Sequence, residues 1–249
     1  MTNINFKMIF FLFIILLSTN IYAKQKHINL VTDSWVPYYG PNIKNNGYFA
    51  HLVKEAFKRK GYSLTVHFRP WKRALLTAKS GKFDGILGAF YKKNREEFFE
   101  YSESIDKSKI VLFAKKDSTI KYNNLNDLTP YVIGVVRGYH YSDDFSNFKS
   151  KLKVYESTDT NHNIKLLLYN RLDLVLGSKN VILDLIEKNY KNDITKFKIL
   201  KTPLISNDLY VPISKKNKNH KQIISDFNQG LAEIKKDGTY DQILKLYNF

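Results

Sequence analysis

The sequence predicts an α/β protein of two lobes joined by two connecting strands. Its apolar residues recur with a period that switches between two and about 3.6 residues, which is typical of alternating strands and helices. Residues 27–88 show this best, because a strand, a helix, a strand, a helix and a strand follow one another there. Two extended apolar segments, 109–114 and 208–214, belong to no such unit, and we expect each to cross between the lobes.

The elements of the first half are predicted from apolar spacing and from glycines that end helices. Residues 62–68 alternate between apolar and polar, as a half-buried strand does. A residue in the left-handed conformation, most often glycine, commonly stops a helix. The predicted strands are 27–32, 62–68 and 84–88, and the two predicted helices precede Gly61 and Gly81.

The second half repeats the alternation with shorter elements. We expect strands at 131–136, 153–155, 172–176 and 197–200, and helices from near Ser142, at 160–170, at 179–189, around 223–234 and after Gly238. If both extended segments cross, the closing helices return to the first lobe. The predicted domains are therefore 24–112 plus 210–249 for lobe one and 113–209 for lobe two.

The N-terminal segment, 1–23, has the pattern of a secretory signal peptide. Lys7 supplies the positive end, residues 8–17 are apolar, and small or β-branched residues precede the predicted cleavage after Ala23. A membrane-spanning helix needs roughly 20 apolar residues and this run is about half as long, so a retained anchor is the weaker alternative. We expect a mature, monomeric protein in the periplasm.

Composition excludes several classes of function. The formal net charge is +17, but the lysines are scattered along the whole length, so nucleic acid is not an expected partner. The chain contains no cysteine, which excludes disulfides, thiolate catalysis and cysteine metal sites. No spacing of histidines and carboxylates predicts a metal site, and we expect no cofactor.

Several short motifs follow one another through nearly the whole mature chain. They are Thr-Asp-Ser-Trp-Val-Pro-Tyr at 32–38, Gly-Tyr-Phe at 47–49, Gly-Lys-Phe-Asp-Gly at 81–85, Asn-Arg at 94–95 and Asp-Gly-Thr-Tyr at 237–240. In this order and spacing they resemble the bacterial extracellular solute-binding proteins of family 3, the polar amino-acid receptors of ABC importers. The resemblance implies the type II periplasmic binding protein fold, a small-molecule ligand between two lobes joined by two hinge strands, and the membrane permease of an ABC importer as partner. Residues 70–74, Pro-Trp-Lys-Arg-Ala, resemble a subgroup that is less uniformly tied to amino acids.

Arg95 is the first candidate for ligand binding. The resemblance implies that an arginine just after the third strand grips a ligand carboxylate. A guanidinium suits that role because it donates two parallel hydrogen bonds and keeps its charge. The alternative is a surface arginine paired with Glu96 or Glu97.

The other candidates lie where strands end and helices begin. Trp35 follows the first strand, and open α/β sheets bind ligands at such strand ends, although core packing is the alternative. Trp71 and Arg73 flank a helix start, a favourable place for an anion, but Trp71 alternatively packs there only to fix the helix. The remaining candidates, several of them through backbone groups, are Tyr38, Gly88, Ala89, Gly138, Tyr139 and His140.

Ser178 is a candidate that departs from the family pattern. Amino-acid receptors of the resembled family usually place an acidic residue here, where it holds the ligand ammonium. A serine offers no countercharge and is alternatively a helix N-cap. We therefore expect a small carboxylate that need not be an α-amino acid.

The expected function is capture of a small carboxylate-bearing solute for an ABC importer, without catalysis. One alternative is a ligand-sensing partner of a receptor, which would use the same pocket. A dehydratase-like enzyme on the same fold is the other, and it would need an acid in the cleft. Asp33 and Asp84 are the acidic residues near strand ends, and both also fit structural roles at turns.

Overall fold

The computed structural model describes residues 26–200 and 203–247. The predicted signal peptide and its cleavage site lie outside these described residues. Within the two described ranges, no helix has both the length and the apolar character needed to cross a membrane.

The first sheet contains the βαβαβ unit that the apolar spacing predicts. Its strands are β1 (Lys26–Thr32), β2 (Tyr62–Phe68), β3 (Gly85–Ile86), β5 (Phe99–Tyr101) and β12 (Pro212–Ser214). Their order across the sheet is β2-β1-β3-β12-β5. The first three pair in parallel, so their carboxyl ends meet at one edge, whereas β12 pairs antiparallel with both β3 and β5.

The second sheet is built mainly from the middle of the chain. Its strands are β4 (Ala89–Phe90), β6 (Asp106–Lys115), β7 (Val132–Val136), β8 (Lys153–Ser157), β9 (Leu174–Ser178), β10 (Phe197–Ile199) and β11 (Ile205–Tyr210). The order is β4-β11-β6-β9-β7-β8, with β10 paired to β6. The two sheets and their helices form a two-lobed α/β architecture, as the sequence predicts, in agreement with the type II fold that the resemblance implies.

Helices cover the sheets where the apolar spacing predicts them. They are α1 (Tyr48–Arg59), α2 (Trp71–Lys79), α3 (Asp143–Phe148), α4 (Thr160–Leu168), α5 (Lys179–Asn189), α6 (His220–Lys236) and α7 (Thr239–Leu246). Ser142 caps α3 by accepting a hydrogen bond from the Phe145 amide at 3.0 Å.

The predicted third strand is split between the two sheets. Residues 84–88 were expected to form one strand, but β3 is short and the chain turns at Gly88, whose φ is 76°. It then forms β4, in which Phe90 pairs with Leu209 of the second sheet. The expectation of a single strand is therefore wrong, because the backbone after β3 finds its partner in β11.

One of the two expected crossing segments lies elsewhere. Residues 109–114 fall inside β6, which pairs with β11 from Asp106 onward, so the chain changes sheet earlier, at 102–105. Residues 208–214 do run from one sheet to the other, from β11 into β12. The exact limits of the two lobes stay a prediction.

The core of the first lobe depends on a close approach of α1 and α6. Phe57 and Phe227 pack there with their ring centroids 4.8 Å apart. Gly230 allows this approach, because a Cβ atom at that position would lie 2.0 Å from the carbonyl oxygen of Ala56. The lobe therefore requires a residue without a side chain at this point of α6.

We expect Gly230→Ala to lower the free energy of unfolding by roughly 1 to 3 kcal/mol, because the two helices must separate. This loss exceeds the gain in helix propensity that alanine brings, which is about 1 kcal/mol. Urea unfolding followed by circular dichroism measures the change. Gln229→Ala, at the exposed neighbouring position, is the control and should change stability little. A Gly230→Ala protein as stable as the parent would show that the helices are not in tight contact.

Candidate functional site

A pocket lies between the two lobes, at the ends of β1 and β7. Its cavity volume is about 40 Å³, so its walls lie close together. Most of its walls are aromatic rings, and two opposite charges border it. The lining residues are Asp33, Trp35, Tyr39, Trp71, Gly88, Ala89, Phe90, Arg95, Tyr139, His140 and Leu209.

The loop after β1 forms one wall. Trp35 and Tyr39 exchange backbone hydrogen bonds of 2.8 and 3.2 Å, which close the loop on itself. The Tyr39 hydroxyl donates to the carbonyl oxygen of Gly88 at 3.0 Å. A Cβ atom at Gly88 would lie 2.4 Å from the Tyr39 ring, so this turn requires glycine. The loop after β1 and the turn after β3 therefore hold each other in position.

Arg95 is buried at the pocket, with 8% of the residue exposed, and is not a surface arginine. Its guanidinium lies 5.5 Å from the centroid of the Trp71 ring, and Nη1 donates to the Phe90 carbonyl oxygen at 3.5 Å. Burial lowers its pKa, with the nearby Tyr101 acting in the opposite direction. Among the described residues, no carboxylate forms an ion pair with Arg95. The pocket therefore contains a desolvated cation that lacks a countercharge from the described chain.

Asp33 brings a carboxylate to the same pocket. It accepts a hydrogen bond from the Tyr139 hydroxyl, which belongs to the other lobe. Burial raises the pKa of Asp33 to about 7, although the Tyr139 hydrogen bond acts in the opposite direction. The other acid near a strand end, Asp84, accepts bonds of 2.8 Å from the Asn29 amide and the Asn217 side chain, and it holds β1 to a loop.

Residues 138–140 face the first lobe across the pocket. The Trp71 indole donates to the Gly138 carbonyl oxygen at 3.1 Å. The rings of Trp71 and Tyr139 meet edge to face with centroids 5.9 Å apart. Together with the Asp33 bond, these contacts join the two lobes at the pocket rim.

His140 borders the pocket with its ring near Asp143, at 3.5 Å between Nε2 and Oδ1. Burial lowers the pKa of His140, so its neutral form is favoured. Across residues 26–200 and 203–247, no cluster of three or more histidine, cysteine, aspartate or glutamate side chains has an arrangement that would hold a metal ion.

The pocket brings together seven of the eleven predicted site residues, namely Trp35, Trp71, Gly88, Ala89, Arg95, Tyr139 and His140. Tyr38 lies behind Trp35, with the two ring centroids 4.5 Å apart. Arg73 is exposed on α2, and Gly138 meets Trp71 through its carbonyl. Ser178 occupies the N-cap position of α5, but its hydroxyl bonds to Ser108 at 2.8 Å.

Four lining residues were not among the predicted site residues: Asp33, Tyr39, Phe90 and Leu209. Phe90 and Leu209 line the pocket because β4 and β11 pair, and these segments are far apart in sequence. For Asp33, the sequence indicated a role in the pocket only through its position at the end of β1. That position is equally typical of a structural residue in a turn.

Asp33→Asn should stabilise the protein at high pH and have little effect at low pH. Because the folded pKa of about 7 lies above the unfolded value of 3.8, ionisation of Asp33 makes the folded state less stable as pH rises between these values. The parent should therefore lose stability over this range, and the variant should exceed it by roughly 2 kcal/mol or more at pH 8. Urea unfolding at several pH values measures the difference.

The control for this experiment is Asp117→Asn, which neutralises an exposed aspartate in the turn after β6. Its stability relative to the parent should stay almost constant over the same pH range. A pH-independent difference between Asp33→Asn and the parent would contradict a raised pKa at Asp33.

Comparison with known proteins gives one family for nearly the whole chain. The profile of the bacterial extracellular solute-binding proteins, family 3, matches residues 28–249. The probable amino-acid-binding protein YxeM of Bacillus subtilis is 21% identical over 226 residues, which cover 89% of this chain and 83% of that protein. The ABC transporter arginine-binding protein 1 of Escherichia coli is 24% identical over 206 residues, 82% of each chain.

Solved structures share the fold. A histidine kinase sensor domain with similarity to periplasmic binding proteins superposes with a TM-score of 0.76 at 16% identity, over 88% of this chain and 94% of that one. The family consists of binding proteins rather than enzymes, so the dehydratase-like alternative is not supported. It is also a family of extracellular proteins, which agrees with export. Since its profile spans both lobes, the chain belongs to the bacterial extracellular solute-binding proteins, family 3.

Proposed function

We propose that this protein captures a small carboxylate-bearing solute, an amino acid or a related compound, in the periplasm and delivers it to the permease of an ABC importer. Arg95 carries the proposal, because it places a buried guanidinium without an ion-pair partner among the described residues at the wall of the pocket. An isolated buried charge is unfavourable unless a partner reaches it. A ligand carboxylate supplies that partner and accepts two parallel hydrogen bonds.

Asp33 supports a ligand that also carries a positive charge. Ser178 gives no countercharge for an ammonium group, and its hydroxyl is bonded to Ser108. Asp33 offers a carboxyl group instead. It belongs to the first lobe, whereas Ser178 belongs to the second, and it lines the pocket with Trp35 and Trp71. An ammonium or guanidinium group favours such surroundings, since it gains from both the carboxylate and the faces of the rings. An α-amino acid therefore fits the two charges of the pocket.

Export and delivery complete the proposal. We infer that the segment 1–23 directs the chain out of the cytoplasm, that it is cleaved after Ala23, and that the mature protein acts as a monomer. The similar arginine-binding protein of Escherichia coli is named as a component of an ABC transporter, which supports a membrane permease as the partner.

A sensing role is the second candidate, because the fold is shared with a histidine kinase sensor domain. The same pocket would then present the bound ligand to a receptor. Uptake of labelled ligand by cells with and without the gene separates the two roles. Loss of uptake supports transport, and unchanged uptake with a lost transcriptional response supports sensing.

Arg95→Ala should weaken binding of the ligand at least tenfold, because a charge-assisted bidentate contact contributes about 1.5 to 3 kcal/mol. Thermal-shift screening with L-arginine, L-histidine, L-cystine, dicarboxylates and amines identifies the ligand, and calorimetry then gives the dissociation constant. Arg73→Ala is the matched control, since it removes an exposed arginine of the same lobe that lies outside the pocket lining.

We expect Arg73→Ala to bind like the parent. Unchanged affinity in Arg95→Ala would remove this arginine from the site. Slow formation of product from any bound compound would contradict a purely binding function.

A further inference from the structure

Among the described residues, contacts between the lobes include a group at the pocket rim and a second group away from the pocket lining. The bonds from Tyr139 to Asp33 and from Trp71 to Gly138 lie at the pocket rim. The second group, which we name the rear contact, joins the loop after β1 to the start of α5. Within the part of the chain that the structure describes, its members do not line the pocket: they are Tyr38, Ser108, Ser178, Asn180 and Val181.

Tyr38 is the lobe-one side of the rear contact. It is 1% exposed, and its ring stacks on Trp35 with the two planes inclined by 26°. Since Trp35 lines the pocket, Tyr38 supports this wall from behind. The hydroxyl of Tyr38 meets α5 instead, where it accepts a hydrogen bond of 3.4 Å from the Asn180 side chain.

Strand β6 and the second lobe contribute both polar and apolar groups. The hydroxyls of Ser108 and Ser178 bond to each other at 2.8 Å in a buried position. Burial raises the pKa of Tyr38, and hydrogen bonds from these two serines and from Asn180 act in the opposite direction. Val181 is 4% exposed and belongs to the hydrophobic core of the first lobe, although α5 belongs to the second. The first turn of α5 is therefore docked on lobe one.

We propose that Tyr38 is a positioning residue for ligand capture, whose hydroxyl holds α5 against lobe one so that the pocket walls stay together. The inference rests on the proposed function in one respect, that a ligand binds between the lobes. A contact that exists only when the lobes are together raises the fraction of molecules in the binding-competent arrangement. The apparent affinity rises in proportion to that fraction.

Three variants and one control test this role. Tyr38→Phe removes the hydroxyl and keeps the ring that stacks on Trp35, and Asn180→Ala removes one hydrogen-bond partner of that hydroxyl. A double variant tests whether the two act as one contact. Tyr62→Phe is the control, because its hydroxyl donates to Asp226 at 2.6 Å between β2 and α6, wholly within the first lobe.

The first measurement needs no ligand. Because the chain has no cysteine, Lys54→Cys and Lys165→Cys place one dye on each lobe at exposed positions, and single-molecule energy transfer reports the distance between them. We expect Tyr38→Phe and Asn180→Ala each to reduce the population with the lobes together, the double variant to match Tyr38→Phe, and Tyr62→Phe to match the parent. An unchanged distribution in Tyr38→Phe overturns the proposal. So does a parent protein whose lobes stay apart both without and with L-arginine.

The second measurement uses L-arginine as the probe. Tyr38→Phe should raise its apparent dissociation constant about threefold to tenfold, because the binding-competent fraction falls when one buried hydrogen bond is lost. An equal effect of Tyr62→Phe would indicate general destabilisation and overturn the proposal. If L-arginine and the rest of the amino-acid panel fail to bind the parent protein, the proposed function fails, whereas the populations without ligand still decide the role of Tyr38.

Discussion

The pairing of β6 with β11 is the constraint on which the two-lobed arrangement depends. Five residue pairs, from Ile110 with Ile205 to Asp106 with Leu209, join the two strands just beyond the points where the chain passes between the sheets. The side chain of Ser104 bonds to Asp208 at 2.7 Å and extends this connection beyond β6. The two connections between the sheets are therefore bonded to each other and form one ribbon.

The ribbon of β6 and β11 also positions two residues that line the pocket. Leu209 ends the ladder of β6 with β11 and also pairs with Phe90 of β4, and both residues line the pocket. The pocket therefore forms next to this ribbon. Residues 138–140, farther from the ribbon, meet the first lobe through side-chain and single carbonyl contacts, which separate more easily than a strand ladder.

Much of the fold was predictable, since it follows from local pattern. A strand or a helix with one buried face leaves a period in the sequence, and the bounds of α5 and β7 agree with that period to within a residue or two. The split of β3 from β4 was not predictable, because β4 pairs with a segment far along the chain. Aromatic and glycine positions at strand ends indicated much of the pocket. Asp33 had no signal to separate it from a turn residue, because its surroundings include Tyr139 from the other lobe.

The loop after β1 connects ligand contact with lobe contact. Asp33 and Trp35 border the pocket, while Tyr38, three residues beyond Trp35, meets α5. The backbone bonds between Trp35 and Tyr39 tie these positions together, so one loop conformation presents both surfaces. Burial raises the pKa of Asp33, and a cationic group on the ligand would favour its charged form. Its lobe-two partner, Tyr139, borders the same pocket. A ligand that binds this loop therefore acts directly on the contact of Asp33 with Tyr139. Through the loop backbone it also acts on the contact of Tyr38 with Asn180. Under the proposed function, ligand binding and closure of the lobes are coupled at this loop. The reason is that the loop contains Asp33 and Trp35, which line the pocket, and Tyr38, which contacts the second lobe.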